Sequence, residues 1–151
     1  MKITSAMIDR FISKKNIAVA GVSKSGKGFG ITLYNQLYEK GYNVYAINPS
    51  GGSVSGIKLY KNIAEVDHPV DAVVAVVQPM VTELLVGEAF DAGIKHFWMQ
   101  TGSESDEAIS FCEEKGMNVI HGYCLLMFLE PMGFFHKFHK TIMKWGHKLP
   151  A

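Results

Sequence analysis

Ten consecutive residues, Gly21-Val22-Ser23-Lys24-Ser25-Gly26-Lys27-Gly28-Phe29-Gly30, gather glycines, hydroxyls and two ammonium groups. Glycine lets the backbone approach a bound group closely, and the free N–H groups of a following helix add donors and a positive dipole end. A phosphate or pyrophosphate suits such a loop; the bland alternative is a tight turn with solvated lysines. Residues 21–27 fit G-x-x-x-x-G-K, but Gly28 stands where magnesium needs Ser or Thr. The apolar run at 73–77 leads into Gln78-Pro79 and not into an Asp. ATP or GTP hydrolysis is therefore not expected. The G-x-G-x-x-G spacing is not met either, and neutral Asn48-Pro49-Ser50 follows the second apolar run where NAD wants an acid for its ribose. An NADP-like ligand stays compatible.

Other reactive side chains are sparse. Cys124 lies at a strand end on the presumed ligand side, and a nucleophilic thiol there needs a neighbouring cation to lower its pKa. His121 is close in sequence, but strand alternation separates positions 121 and 124 if the strand continues. Cys112, inside a helix, reads as core. His68 and His96 carry no signal, and Glu104, Asp106 and Glu107 read as helix-start charges. His136 and His139 are spaced for a shared metal, yet no third ligand is near and the zinc spacings do not match. No catalytic residue and no metal ligand is assigned. That favours a binding module over an enzyme.

These residues need elements to position them. Short apolar runs at 16–22, 42–49, 70–79, 94–102 and 117–123 alternate with amphipathic stretches at 29–41, 80–93 and 103–116, the helices stopped by Gly41, Gly93 and Gly116. Ser103 or Ser105 caps the third helix. Residues 50–68 read as a Gly/Ser-rich loop, a short strand near 56–59, and a turn around 62–66. A further helix over 6–14 presents Met7, Ile8, Phe11 and Ile12 to the core. Strand and helix in strict alternation mean a parallel sheet covered on both faces. The predicted fold is Rossmann-like α/β: a doubly wound sheet of about five strands in a single domain. Ligands of such sheets sit beyond the carboxyl ends of the strands.

Composition agrees. The chain has 151 residues, 48% hydrophobic and 19% charged, enough for one packed core. Fifteen basic against fourteen acidic residues remove the electrostatic case for a nucleic-acid binder. Two cysteines fit a reducing cytoplasm, and neither a signal peptide nor a membrane-inserting segment is read. Residues 131–151 carry Lys137, Lys140, Lys144 and Lys148 without an acid, leaving eleven basic and fourteen acidic residues before them. Over about 131–147, Phe135, Phe138, Ile142 and Trp145 share one helical face. The expected C-terminal amphipathic helix docks on the domain's own sheet or, alternatively, forms a homodimer.

The segments IAVAGVSKSGKGFG, VYAINPSGG, DAVVAVVQP, AGIKHFWMQTGS and VIHGYC, in this order, resemble the CoA-binding domain family, small relatives of the N-terminal domain of the succinyl-CoA synthetase α subunit. The resemblance covers about residues 12–128. It implies a Rossmann-like domain holding coenzyme A or an acyl-CoA. The CoA phosphates would lie on Gly21, Val22, Ser23, Lys24, Ser25 and Lys27. The adenosine would meet Asn48, Pro49 and the following glycines. Val77, Pro79, Gln100, Thr101 and Gly102 would flank the rest of the ligand. Leu125 follows Cys124 where the family often has proline, and the phosphoryl-accepting histidine of the larger synthetases belongs to a separate domain. The expected role is a non-catalytic carrier, sensor or accessory module. The alternative is an enzyme acting on an acyl-CoA or NADP-like nucleotide through Cys124 or His121.

Overall fold

A computed structural model of the chain describes residues 2–129. Helix α1 (Ser5–Ile12) leads into β1 (Asn16–Ala20), α2 (Phe29–Glu39) and β2 (Asn43–Ile47). Two short strands follow, β3 (Ser53–Val54) and β4 (Ile57–Tyr60), then a 3-10 turn at Ile63–Glu65. The second half runs β5 (Ala72–Ala75), α3 (Pro79–Asp91), β6 (His96–Met99), α4 (Asp106–Glu114) and β7 (Asn118–His121), closing with a 3-10 turn at Leu125–Phe128.

The strands form one sheet in the order β3-β4-β2-β1-β5-β6-β7, parallel throughout except where β3 runs antiparallel to β4. The sheet has seven strands where about five were expected. Five apolar runs supply the parallel body; β4 is the short strand expected near 56–59, and β3 falls in the stretch that reads as loop. The reason is local. Ser53–Val54 is two residues long and carries no apolar run; a two-residue turn makes it a strand. Ser55 and Gly56 both have positive φ (49° and 80°), the conformation of a tight hairpin between Val54 and its partner Ile57.

Burial explains the doubly wound arrangement. All four residues of β5 are buried, as in a central strand covered on both faces. Alternation along β1 divides the core: Ile17 and Val19 pack with Phe11, Leu33 and Leu37 beneath α1 and α2. Ala18 and Ala20 pack with Val86, Ala89 and Cys112 beneath α3 and α4. On the first face Trp98 meets Phe11 edge-on at 5.3 Å, and its Nε1 donates to the Tyr123 carbonyl at 2.9 Å. No helix among the described residues is long and apolar enough to cross a membrane. The expected C-terminal helix lies outside the described residues.

Candidate functional site

Strand order reverses between β1 and β5, so the carboxyl ends of these strands open onto the crevice where such sheets bind ligands. The turn leaving β1 is packed too closely for side chains. Gly21 has φ +104°, and a Cβ there would run into the Val76 carbonyl. Gly30, in the first turn of α2, stands so near Gly21 that a Cβ would strike its carbonyl oxygen. Between them the loop is braced by its hydroxyls: Ser23 Oγ and Ser25 Oγ are 2.8 Å apart. Each accepts a backbone N–H, from Ser25 at 3.1 Å and from Lys27 at 3.2 Å respectively. Gly28 is the N-cap of α2 and has no side chain with which to cap it. The first-turn N–H groups of α2 therefore open onto the loop, an anion-binding end. Lys24 and Lys27 are exposed beside it, whereas the Val22 side chain is fully buried, leaving only its backbone for a ligand.

The turn after β2 is tied to this loop. Asn48 Nδ2 donates to the Val22 carbonyl at 2.8 Å, and its Oδ1 accepts the Ser50 N–H at 2.8 Å. The Asn48 N–H in turn donates to Tyr60 O at 2.8 Å, linking the turn to β4. Pro49 is exposed. Asn48 thus spends its amide on positioning two loops. These bonds place residues 21–27 and 48–52 side by side.

A second cleft, about 400 Å³, lies at the ends of β5 and β6 and is lined by Val76, Val77, Gln78, Thr101, Gly102 and Ser103. Ser103 organises it: its Oγ accepts the Val77 N–H at 3.0 Å, while its carbonyl accepts from Thr82 Oγ1 at 2.7 Å. The sequence offers Ser103 only as a candidate helix cap and gives Thr82 no role; the only signal is a hydroxyl just beyond a strand and another in a helix's first turn. Thr101 and Gly102 are exposed at the cleft, and Pro79 opens α3 beside it. Gln100 turns the other way. It is 4% exposed; Nε2 donates to Cys124 Sγ at 3.1 Å and Oε1 accepts the Leu125 N–H at 2.9 Å. Both ends of its amide are thus engaged in pinning the last loop to β6. A larger cleft of about 570 Å³ runs between α2 and the β3–β4 hairpin, touching the glycine loop after β1 only at Gly26.

The thiols differ. Burial pushes the Cys112 thiol up to about 12, so it stays protonated and inert within α4. Cys124 is half-buried beneath Gln100. His121 ends β7 and is half-buried. Among the described residues no cluster of three or more His, Cys, Asp or Glu could hold a metal ion.

This architecture has relatives. The chain is 28% identical over 130 residues to the II subunit alpha of an ADP-forming acetate–CoA ligase of Pyrococcus furiosus, a match covering 79% of this chain. It spans only 28% of that subunit's length. A conserved hypothetical protein of Pyrococcus furiosus has a similar structure (TM-score 0.70, 34% identity), covering 75% of this chain and 97% of that one. A hypothetical protein of Pyrococcus horikoshii superposes at TM-score 0.77 with 25% identity, covering 93% of both chains. The family model described as "CoA binding domain" matches residues 15–130, across both loops and both strand ends of the site, and the chain belongs to that family.

Proposed function

We propose that the chain binds coenzyme A or an acyl-CoA along this edge and serves as a carrier, sensor or accessory module without turnover of its own. The observation that carries the reading is the uncapped start of α2: Gly28 leaves its N–H groups to the loop of Ser23, Lys24, Ser25 and Lys27. A pyrophosphate there meets donors, a dipole end and two ammonium groups. The adenosine lies toward Asn48 and Pro49, where no acid follows β2 to repel a phosphorylated ribose. The pantetheine arm follows Val77, Pro79, Thr101 and Gly102, with Gln100 acting from beneath as a positioning residue. A homodimer formed through residues 131–147 belongs to the same reading and is checked by sedimentation with and without that segment.

The test is a thermal-shift titration with CoA, acetyl-CoA, dephospho-CoA, NADP, NAD and ATP. Ligand at ~100 times its Kd adds about 2.7 kcal/mol. For a domain of this size that raises Tm by roughly 5–10 °C. A shift with CoA or acetyl-CoA supports the reading; a shift only with NADP or ATP overturns it. Turnover of an acyl-CoA that disappears in Cys124→Ala while binding persists moves the protein to the enzymatic alternative.

A further inference from the structure

The outer face of α3 is apolar where a solvated helix surface is ordinarily polar. Thr82, Leu85, Val86 and Ala89 are buried toward the core, so the opposite side of the helix carries Met80, Leu84 and Gly87. Met80 is 75% exposed and Leu84 68%, with Val81 exposed beside them. Spacings of four and then three residues make these positions one continuous stripe, as on a helix that packs against another. Gly87 sharpens the point. Glycine inside a helix costs about 1 kcal/mol against alanine. Its φ is not positive, and a Cβ there would meet nothing within 4 Å, so neither the backbone nor the domain's own packing calls for glycine. A small residue on an outer face lets a second element approach closely.

Charge points to the occupant. Helix α3 holds Glu83, Glu88 and Asp91, all exposed, and no basic residue. Glu83 accepts from Ser105 Oγ and Glu88 from the Ile63 N–H, neutral donors that leave both charges in place. Residues 131–151, outside the described residues, have the opposite character: Lys137, Lys140, Lys144 and Lys148 without an acid. Within them Phe135, Phe138, Ile142 and Trp145 follow one another at spacings of three, four and three. The helix and the segment are complementary in charge, and each has an apolar stripe to cover.

The segment does not reach the α3 of its own domain. Leu129, the last described residue, packs with Phe128 and Trp98 on the sheet face covered by α1 and α2. Helix α3 covers the opposite face, with α4 between it and the edge strand β7. The five residues 130–134 span at most about 18 Å, less than two helix diameters. The path would have to round the β7 edge and then pass outside α4.

We infer that the outer stripe of α3 is the docking face for residues 131–147 of a second copy of this chain, each copy's segment covering Met80, Leu84 and Gly87 of the other. This rests on the homodimer read through that segment and names the surface it meets. Sedimentation of the full chain and of Leu84→Gln, Gly87→Gln and Phe138→Gln tests it. Positions 84 and 87 have open space around them, and unchanged circular dichroism verifies folding. Gly87→Gln also removes the helix penalty of glycine, so weaker association there cannot come from a weaker helix. Each variant should weaken the dimer about a hundredfold, tenfold at each of two reciprocal contacts. Mixing Leu84→Gln with Phe138→Gln should recover about tenfold, because the mixed dimer keeps one intact pair of stripe and segment. Raised salt should weaken the wild-type dimer. A dimer that Phe138→Gln dissociates but the two α3 variants leave unchanged overturns the docking face and keeps the dimer. A wild type that stays monomeric overturns both, with CoA binding untouched.

Discussion

Asn48 Nδ2 donates to the carbonyl oxygen of Val22 across 2.8 Å, joining the loop after β1 to the loop after β2. The two residues are 26 apart in the chain, and their bond brings the glycine loop after β1 and the Asn48-Pro49 turn to a common edge. The same amide accepts from Ser50, so one side chain sets the shape of the second turn and its distance from the first.

Asn48→Ala should lower stability by about 1–2 kcal/mol, from two hydrogen bonds of which neither is deeply buried. It should also weaken CoA binding by loosening both loops. Asn48→Asp keeps an acceptor for the Ser50 N–H but sets a carboxylate against the Val22 carbonyl and beside the lysines. Its affinity for CoA should fall further than that of the alanine variant. Urea denaturation and calorimetry measure the two effects; wild-type affinity in both variants would remove Asn48 from the site.

Gly30 tests packing against propensity. It lies inside α2, where replacing glycine by alanine ordinarily stabilises a helix by about 1 kcal/mol. Here the added Cβ meets the Gly21 carbonyl, which belongs to backbone and cannot swing aside. Gly30→Ala should therefore destabilise, by about 3 kcal/mol, at the upper end of overpacking. A raised Tm in Gly30→Ala would contradict the close approach of α2 to the end of β1.

His96 should give the fold a pH dependence. Its pKa is lowered, chiefly by burial and secondarily by the charges of Lys14 and Arg10. Its Nδ1 faces Asn118 Nδ2 at 3.1 Å, and that amide also donates to the Met7 carbonyl of α1 at 2.9 Å. A histidine whose folded pKa is depressed stabilises the fold above its unfolded value of about 6.5, and the contribution is lost as pH falls through the folded pKa. Between pH 7.5 and 5.5, the wild type should lose more stability than His96→Gln, whose amide supplies an acceptor without titrating. Parallel losses in urea melts of the two proteins would refute the role of His96.

Much of the fold is written locally. Alternating apolar and amphipathic runs place β1, α2, β2, β5, α3, β6, α4 and β7 within a few residues, because burial on a strand or helix imposes a period that contiguous residues reveal. The strands are shorter than the runs: Val76 and Val77 follow β5 and line the cleft, where Val76 N–H still donates to Ala20 O at 2.9 Å but Val77 N–H turns to Ser103 Oγ. Ser105, one of two candidate caps for α4, is the residue whose Oγ accepts the Ala108 N–H at 3.2 Å, while Ser103 serves the cleft. A sequence shows both hydroxyls but not which one the backbone turns toward the helix.

The glycine loop, the neutral corner after β2 and the parallel α/β class follow from the sequence by itself, since they depend on residue type and on spacing within a few turns of chain. The tertiary structure alone decides the rest: β1 beside β5, Gln100 turned inward to Cys124, Lys61 laid along Gly51, and Ser53–Val54 paired as a strand. These are contacts between segments separated along the chain, chosen by which faces pack together once the core closes, and no local pattern encodes them.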